Sequence, residues 1–236
     1  MRALLPALAL VASFALVGAA SAERLTDQPL VDAAWLQQNL NNDSLVVLDV
    51  RDAVEKVNPY EQGHIPGAIN APYSAAGWRT EVQGVPGQLP PLENIEALIG
   101  SLGIDSDDHV VIVPAGKDSS EFGGATRIYW TFKTLGHDAV SILDGGYRGW
   151  EAAKGEVSTD PVKPEPVKFS AKVSDKYLAT TADVEQALKS GVKLVDGRPA
   201  EQYQGKSKSP VVRAAGTIPG AINIEHSKLY DAQNAS

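Results

Sequence analysis

Two acid–arginine pairs stand out among the residues that could do chemistry. Arg51 follows Asp49 after one intervening residue, Arg198 follows Asp196 in the same way, and each pair ends an apolar run. A carboxylate and a guanidinium at this spacing can form a local ion pair that fixes the turn after a strand. We expect that structural role for both pairs.

Cysteine is absent from all 236 residues. This count excludes disulfides, thiolate-bound zinc, iron–sulfur clusters and a cysteine nucleophile within these positions. Any chemistry that needs a thiolate therefore needs a thiol from outside them.

The four histidines do not form a recognisable site. His64 is the best placed for a general base, but its counterpart in a second, similar segment is Thr217, so we expect it to pack a turn. His109, His137 and His226 show no metal-ligand spacing with one another or with carboxylates, and we expect them in loops or at the surface. The sequence predicts neither a metal site nor a cofactor.

Two weaker features could attract anions. The run KDSSEFGG at 117–124 precedes a helical segment and could cradle an anion through backbone N–H groups, although loop geometry is the simpler interpretation. Lys206, Lys208 and Arg213 form a small basic cluster. We expect a solvated loop there, with a funnel for an anionic substrate as the alternative.

The composition is that of a water-soluble globular protein. Apolar residues make up 43% and charged residues 21%, which excludes a disordered chain and a bundle of membrane spans. The formal net charge of −8 repels phosphate backbones. We therefore expect no nucleic-acid partner.

Residues 1–22 are typical of a secretory signal. A short positive start is followed by an apolar stretch and by Ala20-Ser21-Ala22, an A-x-A cleavage sequence. We expect cleavage after Ala22, a periplasmic or secreted protein, and no membrane association after cleavage.

The remaining chain repeats itself once. LDVR at 48–51 is echoed by VDGR at 195–198, and HIPGAIN at 64–70 by TIPGAIN at 217–223. Three prolines in residues 158–174 disfavour a helix or a central strand there. The sequence therefore predicts unit one at 25–157, a proline-rich linker at 158–174, and unit two at 175–236.

Alternating apolar strands and helices predict the fold class. Buried strands are expected at 45–50, 110–113 and 140–143, with helices from an Asp32 N-cap and over 125–135. Unit two begins in the same way, with a Thr180-capped helix and a strand at 192–195. This pattern predicts an α/β fold with an open, mainly parallel sheet flanked by helices.

The ordered motifs DVR at 49–51, GHIPGAIN at 63–70 and DGGYRGW at 144–150 resemble the rhodanese family. The resemblance is closest to its tandem-domain thiosulfate sulfurtransferases. It implies transfer of sulfur from thiosulfate, or another sulfane-sulfur donor, through a cysteine persulfide to a thiophilic acceptor such as cyanide or a thiol. It also places Arg198 near an anionic substrate pocket, where its guanidinium could hold oxyanion oxygens.

The family nucleophile is missing from unit one. Pro114 stands where the resemblance expects the cysteine, at the end of a buried strand. The loop that follows, over 117–124, is expected to be too long for its N–H groups to converge. Unit one is therefore predicted to be non-catalytic.

Unit two ends at Ser236, soon after its TIPGAIN motif and before any counterpart of the nucleophile loop. We expect a chain truncated within its second, catalytic domain, poorly ordered in that part and inactive as written. The alternative is a non-catalytic module that binds sulfur oxyanions or a partner protein through unit one. Coding sequence beyond Ser236 would distinguish the two.

Overall fold

A parallel five-stranded sheet forms the centre of unit one. The computed structural model describes residues 24–233, so the expected signal at 1–22 lies outside the described residues. The strands are β1 (Leu30–Val31), β2 (Leu45–Asp49), β3 (Ile69–Asn70), β6 (His109–Val113) and β7 (Val140–Leu143), in the order β1-β7-β6-β2-β3. All four pairings in this sheet are parallel.

Helices cover both faces of this sheet. They are α1 (Ala33–Asn39), α2 (Pro59–Gln62), α3 (Leu92–Ser101), α4 (Ser119–Thr134) and α5 (Gly146–Ala152). One core cluster joins α3 and α4 to the sheet, and a second joins α1, α2 and α5 to the opposite face. A separate antiparallel hairpin is formed by β4 (Thr80–Val82) and β5 (Val85–Gln88). This is the mainly parallel α/β fold that the sequence predicts.

The position of the central strands in the sheet explains their apolar composition. Strand β6 pairs with β2 from Leu45↔His109 to Asp49↔Val113, and all five of its residues are buried. A strand with helices on both faces has no solvent-facing side, so an unbroken apolar run is favoured over an alternating one.

Helix α4 begins earlier than the sequence predicts. Asp118 is its N-cap and accepts hydrogen bonds from the backbone N–H groups of Ser120 and Glu121 at 2.9 and 3.0 Å. The cap and the burial of Ile128 and Phe132 on one face of α4 together outweigh the low helix propensity of Gly123 and Gly124, which lie inside the helix. The expected long loop at 117–124 is therefore wrong, and only residues 114–118 separate β6 from α4.

Residues 158–174 form no helix or strand, but they pack closely on unit one. Phe169 is 5% exposed and belongs to the core cluster of α3 and α4. The N–H groups of Val167 and Lys172 each donate to a carbonyl of unit one, those of Gly100 and Leu135, at 2.9 Å. We call residues 158–174 the strap, because they extend across unit one.

Unit two contains few elements and buries little. They are α6 (Thr181–Ser190), β8 (Val195–Asp196), α7 (Ala200–Tyr203) and β9 (Ile222–Asn223), with two short 3-10 helices at Asp175–Tyr177 and His226–Leu229, and β8 pairs in parallel with β9. Thr180 caps α6 as expected, whereas the predicted strand at 192–195 is assigned only from Val195. In residues 24–233 no helix is long and apolar enough to cross a membrane.

Candidate functional site

The loop at 114–118, which we call the β6–α4 loop, lies at the carboxyl edge of the sheet. Pro114 follows Val113, the last residue of β6, and is buried. Its carbonyl accepts a 2.7 Å hydrogen bond from the N–H of Tyr147, and the carbonyl of Ala115 accepts one from Arg148. The DGGYRGW segment therefore holds the loop against the tip of the strand.

Gly146 permits this close approach. Its φ is +58°, and a Cβ added there would lie 2.5 Å from the carbonyl oxygen of Pro114. Both the positive φ and the short distance require glycine at this position.

Backbone N–H groups of the β6–α4 loop converge on a side chain of the same chain. The carboxylate of Glu121 accepts from the N–H of Ala115 at 2.6 Å and from that of Gly116 at 3.2 Å. The expectation that these N–H groups fail to converge is therefore wrong, because α4 starts early enough to bring Glu121 beneath the loop. Burial raises the pKa of Glu121, and the backbone hydrogen bonds from the loop oppose that rise.

A cavity of about 330 Å³ opens beside this loop. Its wall contains three carboxylates, those of Asp52, Asp118 and Glu121, and the phenol of Tyr73. Asp52 is bonded to both the N–H and the hydroxyl of Ser74. The cavity is therefore acidic, and its carboxylates are engaged in local hydrogen bonds.

The first acid–arginine pair is a buried ion pair that links separate segments of unit one. Arg51 donates to both carboxylate oxygens of Asp49 and, through Nη2, to the carbonyl of Gly63 at 2.7 Å. The ring of Tyr147 covers the guanidinium at 3.7 Å. The pair therefore joins three motifs of unit one, and its side chains are 5% and 1% exposed.

The second pair repeats this geometry but is open to solvent. Arg198 donates to Asp196 through Nε and Nη2, and Nη2 also reaches the carbonyl of Gly216 at 2.8 Å. Hydrogen bonds from Arg198 and Thr217 lower the pKa of Asp196. The Arg198 side chain is 37% exposed and lines an open cavity of about 750 Å³. Its anion-binding role stays a prediction.

One of the histidines is placed differently from the expectation. His109 is buried at 0% exposure in strand β6, so the prediction of a surface or loop position is wrong for it, whereas His137 lies in the loop between α4 and β7, as expected, but is only 5% exposed. The hydroxyl of Ser141 donates to the carbonyl of Gln28, so it can only accept from Nε2 of His109, at 3.1 Å. Burial lowers the pKa of His109 to about 4.

The other candidates lie away from the β6–α4 loop. His64 is buried in its turn, stacked on Tyr60 with ring centroids 3.8 Å apart, and its ring nitrogens face the carbonyls of Tyr60 and Asp160. The predicted basic cluster of Lys206, Lys208 and Arg213 is exposed. His226 is also exposed, at the start of a short 3-10 helix, His226–Leu229. Within residues 24–233, no group of three or more metal-ligating side chains could hold a metal ion.

Glu121 is the residue that the sequence analysis missed. The available signal was its position three residues after Asp118, the spacing of a capping box. In a capping box the acid returns to the N-cap, whereas here it reaches the preceding loop.

Comparison with known proteins identifies similar chains. A family model described as "Rhodanese-like domain" matches residues 32–153. A putative thiosulfate sulfurtransferase of Saccharopolyspora erythraea is 32% identical over 209 residues, which are 86% of this chain and 70% of that protein. The thiosulfate sulfurtransferase of Rattus norvegicus is 32% identical over 83% of this chain and 68% of its own.

Two further matches concern a different sulfur donor. The 3-mercaptopyruvate sulfurtransferase of Homo sapiens is 32% identical over 83% of this chain and 61% of its own. A crystal structure of SseA from Escherichia coli, described with the rhodanese fold of 3-mercaptopyruvate sulfotransferases, has a TM-score of 0.70 at 26% identity. It is matched over 86% of this chain and 77% of that one.

Proposed function

The chain belongs to the rhodanese family, and from that membership we propose that it serves sulfur transfer from thiosulfate to a thiophilic acceptor, cyanide or a thiol. We propose further that unit one is a non-catalytic domain of this system. The observation that carries the proposal is Pro114, which occupies the buried tip of β6 in a chain without cysteine.

The chemistry explains why a cysteine is indispensable. A thiolate attacks the outer sulfur of thiosulfate, the S–S bond breaks, and sulfite leaves with the electron pair, which leaves a persulfide on the thiol. An acceptor then removes the outer sulfur and regenerates the thiolate. Proline has no nucleophilic side chain, so the thiol must be one that these 236 residues do not contain.

The relatives support sulfur transfer as a class more strongly than they support one donor. Relatives named for thiosulfate and for 3-mercaptopyruvate reach the same identity of 32%. We propose thiosulfate as the donor and Arg198 as a residue that attracts it. The exposure of the Arg198 guanidinium beside an open cavity supports this role.

The proposal is tested by thiocyanate formation from thiosulfate and cyanide. The 236-residue chain is expected to form no more thiocyanate than buffer alone. The polypeptide encoded by the natural gene, read to its in-frame stop codon, is expected to contain a strand-end cysteine and to be active. Activity of the 236-residue chain, or inactivity of a cysteine-bearing gene product with every donor tried, would contradict the proposal.

A second candidate is a non-catalytic module that binds a partner protein through unit one. Exposed apolar side chains of unit one favour it, since Val54, Val85 and Leu92 are 63%, 51% and 45% exposed. This candidate requires a gene product without a strand-end cysteine, so the same reading frame decides between the two.

We also propose that residues 1–22 direct export to the periplasm or the exterior and are then removed. The A-x-A sequence ending at Ala22 supports the proposal. The intact mass of the protein purified from its native compartment should correspond to a chain that begins at Glu23. A mass that retains Met1 and residues after it would refute it.

A further inference from the structure

The β6–α4 loop has its anion-stabilising groups already occupied. Its N–H groups at Ala115 and Gly116 bond to Glu121, and the N–H groups of Ser120 and Glu121 bond to Asp118. Two carboxylates of the chain therefore satisfy four backbone donors at the start of α4.

These donors are the kind that stabilise a thiolate or an oxyanion. Converging N–H groups and the N-terminus of a helix carry partial positive charge, which favours a negative group beside them. Helix α4 is 16 residues long, and in the β6–α4 loop before it the N–H groups of Ala115 and Gly116 point to one carboxylate. In this chain the negative group at that point is Glu121.

Charge around the loop opposes a second anion. The cavity beside it is lined by Asp52, Asp118 and Glu121, and no lysine or arginine of residues 24–233 is part of its lining. The guanidinium of Arg127 lies behind the wall, where it donates to the hydroxyl of Tyr73 at 3.1 Å, so an anion in the cavity would meet three carboxylates first.

We infer that Glu121 is an internal substitute for the sulfur anion, so that unit one lacks two requirements for catalysis, a cysteine at position 114 and a free set of N–H donors. The interpretation of Glu121 as a substitute for a sulfur anion rests on the proposed function, but the hydrogen bonding of Glu121 can be tested without any sulfur donor. A cysteine placed at 114 is then insufficient by itself. It becomes reactive only when Glu121 is also removed.

The absence of cysteine makes this test specific. The variant Pro114→Cys contains one thiol, and its alkylation by iodoacetamide as a function of pH reports thiolate formation at that position alone. It is compared with Pro114→Cys/Glu121→Gln and Pro114→Cys/Glu121→Ala. The matched control is Pro114→Cys/Glu93→Gln, because Glu93 is an exposed acid in the first turn of another helix, α3.

We expect the single variant and the Glu93 control to alkylate slowly at neutral pH. Each Glu121 double variant should react about tenfold faster, equivalent to a downward shift of about one unit in the thiol pKa. Rates within twofold of the single variant, in proteins with the same circular dichroism, would overturn the inference.

A second measurement avoids the cysteine substitution altogether. In the unsubstituted chain, the amide ¹⁵N and ¹H shifts of Ala115 and Gly116 should follow the protonation of Glu121, and the Glu121→Gln variant should lose that titration. Amide shifts that do not change with pH in the unsubstituted chain, or that titrate equally in the Glu121→Gln variant, would contradict the hydrogen bonds from Ala115 and Gly116 to Glu121. Neither measurement requires sulfurtransferase activity, so a failure here is distinguishable from a failure of the proposed function.

Discussion

Replacement of Phe169 by alanine tests whether the strap is part of the folded core of unit one. The ring of Phe169 is 5% exposed and meets that of Phe132 edge-on, with centroids 6.5 Å apart and an interplanar angle of 84°. The ring of His137 lies 5.9 Å from that of Phe169 and 5.3 Å from that of Phe132, centroid to centroid. The side chain is therefore enclosed by residues of α4 and the turn that follows it.

The expected loss follows from this enclosure. Removing a buried phenylalanine ring costs about 3–5 kcal/mol through lost transfer free energy and the cavity left behind. The neighbours of Phe169 include the end of α4 and an otherwise irregular strap, which can partly relax, so we expect a value near the lower limit, about 3 kcal/mol. The melting temperature should fall by roughly 6–12 °C for a domain of about 150 residues.

Urea unfolding followed by circular dichroism measures the difference. The Phe169→Ala variant should show a lower midpoint with an unchanged m value, since the surface exposed on unfolding stays nearly the same. The matched control is Val173→Ala in the same strap, where the side chain is 56% exposed, and it should change stability by less than about 0.5 kcal/mol. A loss below about 1 kcal/mol for Phe169→Ala would show that the strap is a linker only and that unit one ends before it.

Three further outcomes are expected. Because burial lowers the pKa of His109 from 6.5 to about 4, the unfolded chain takes up a proton first as the pH falls, so stability should decrease between these values. The loss of unfolding free energy reaches about 3 kcal/mol. Urea unfolding at several pH values should show that this free energy depends less steeply on pH in the His109→Gln variant than in the unsubstituted chain. An equal dependence on pH would contradict this account. Arg51→Ala leaves the buried Asp49 without its partner and should lower the free energy of unfolding by about 3–5 kcal/mol. Arg198→Ala, at the exposed pair, should lower it by less than about 1 kcal/mol in the same urea assay. Equal losses in the two variants would refute the distinction between a buried and an exposed pair. Amide hydrogen exchange followed by mass spectrometry should be faster in β8 and β9 than in β2 and β6, since unit two buries few side chains; equal protection would refute our expectation of poor order there.

Membership of the rhodanese family does not by itself make this chain a sulfurtransferase. The fold and the loop at the strand edge are those of a unit that could hold a reactive sulfur, but Pro114 provides no thiol and Glu121 uses the N–H donors. Family resemblance therefore predicts the scaffold well, and the residues at one loop decide what the scaffold can do.

The local pattern of residues was enough to predict much of unit one. The apolar runs at 45–50, 110–113 and 140–143 predicted three buried strands, and Asp32 predicted the start of α1. Pro114 was predicted at the tip of a strand for the same reason, because a buried run must end where the chain turns. These features depend on neighbours along the sequence, so the sequence alone determines them.

The remaining features depend on contacts between distant segments. The burial of His109 follows from its contacts with Ser141 and Trp35, which lie on other elements. The role of the strap follows from Phe169, which is part of the core of unit one, although the proline-rich sequence of the strap predicts only a linker. Glu121 was unpredictable as an internal ligand, because its capping-box spacing also fits an ordinary bond to the N-cap. Only the tertiary structure decided between these uses, since the tight turn from β6 into α4 places the loop N–H groups within hydrogen-bonding distance of that one carboxylate.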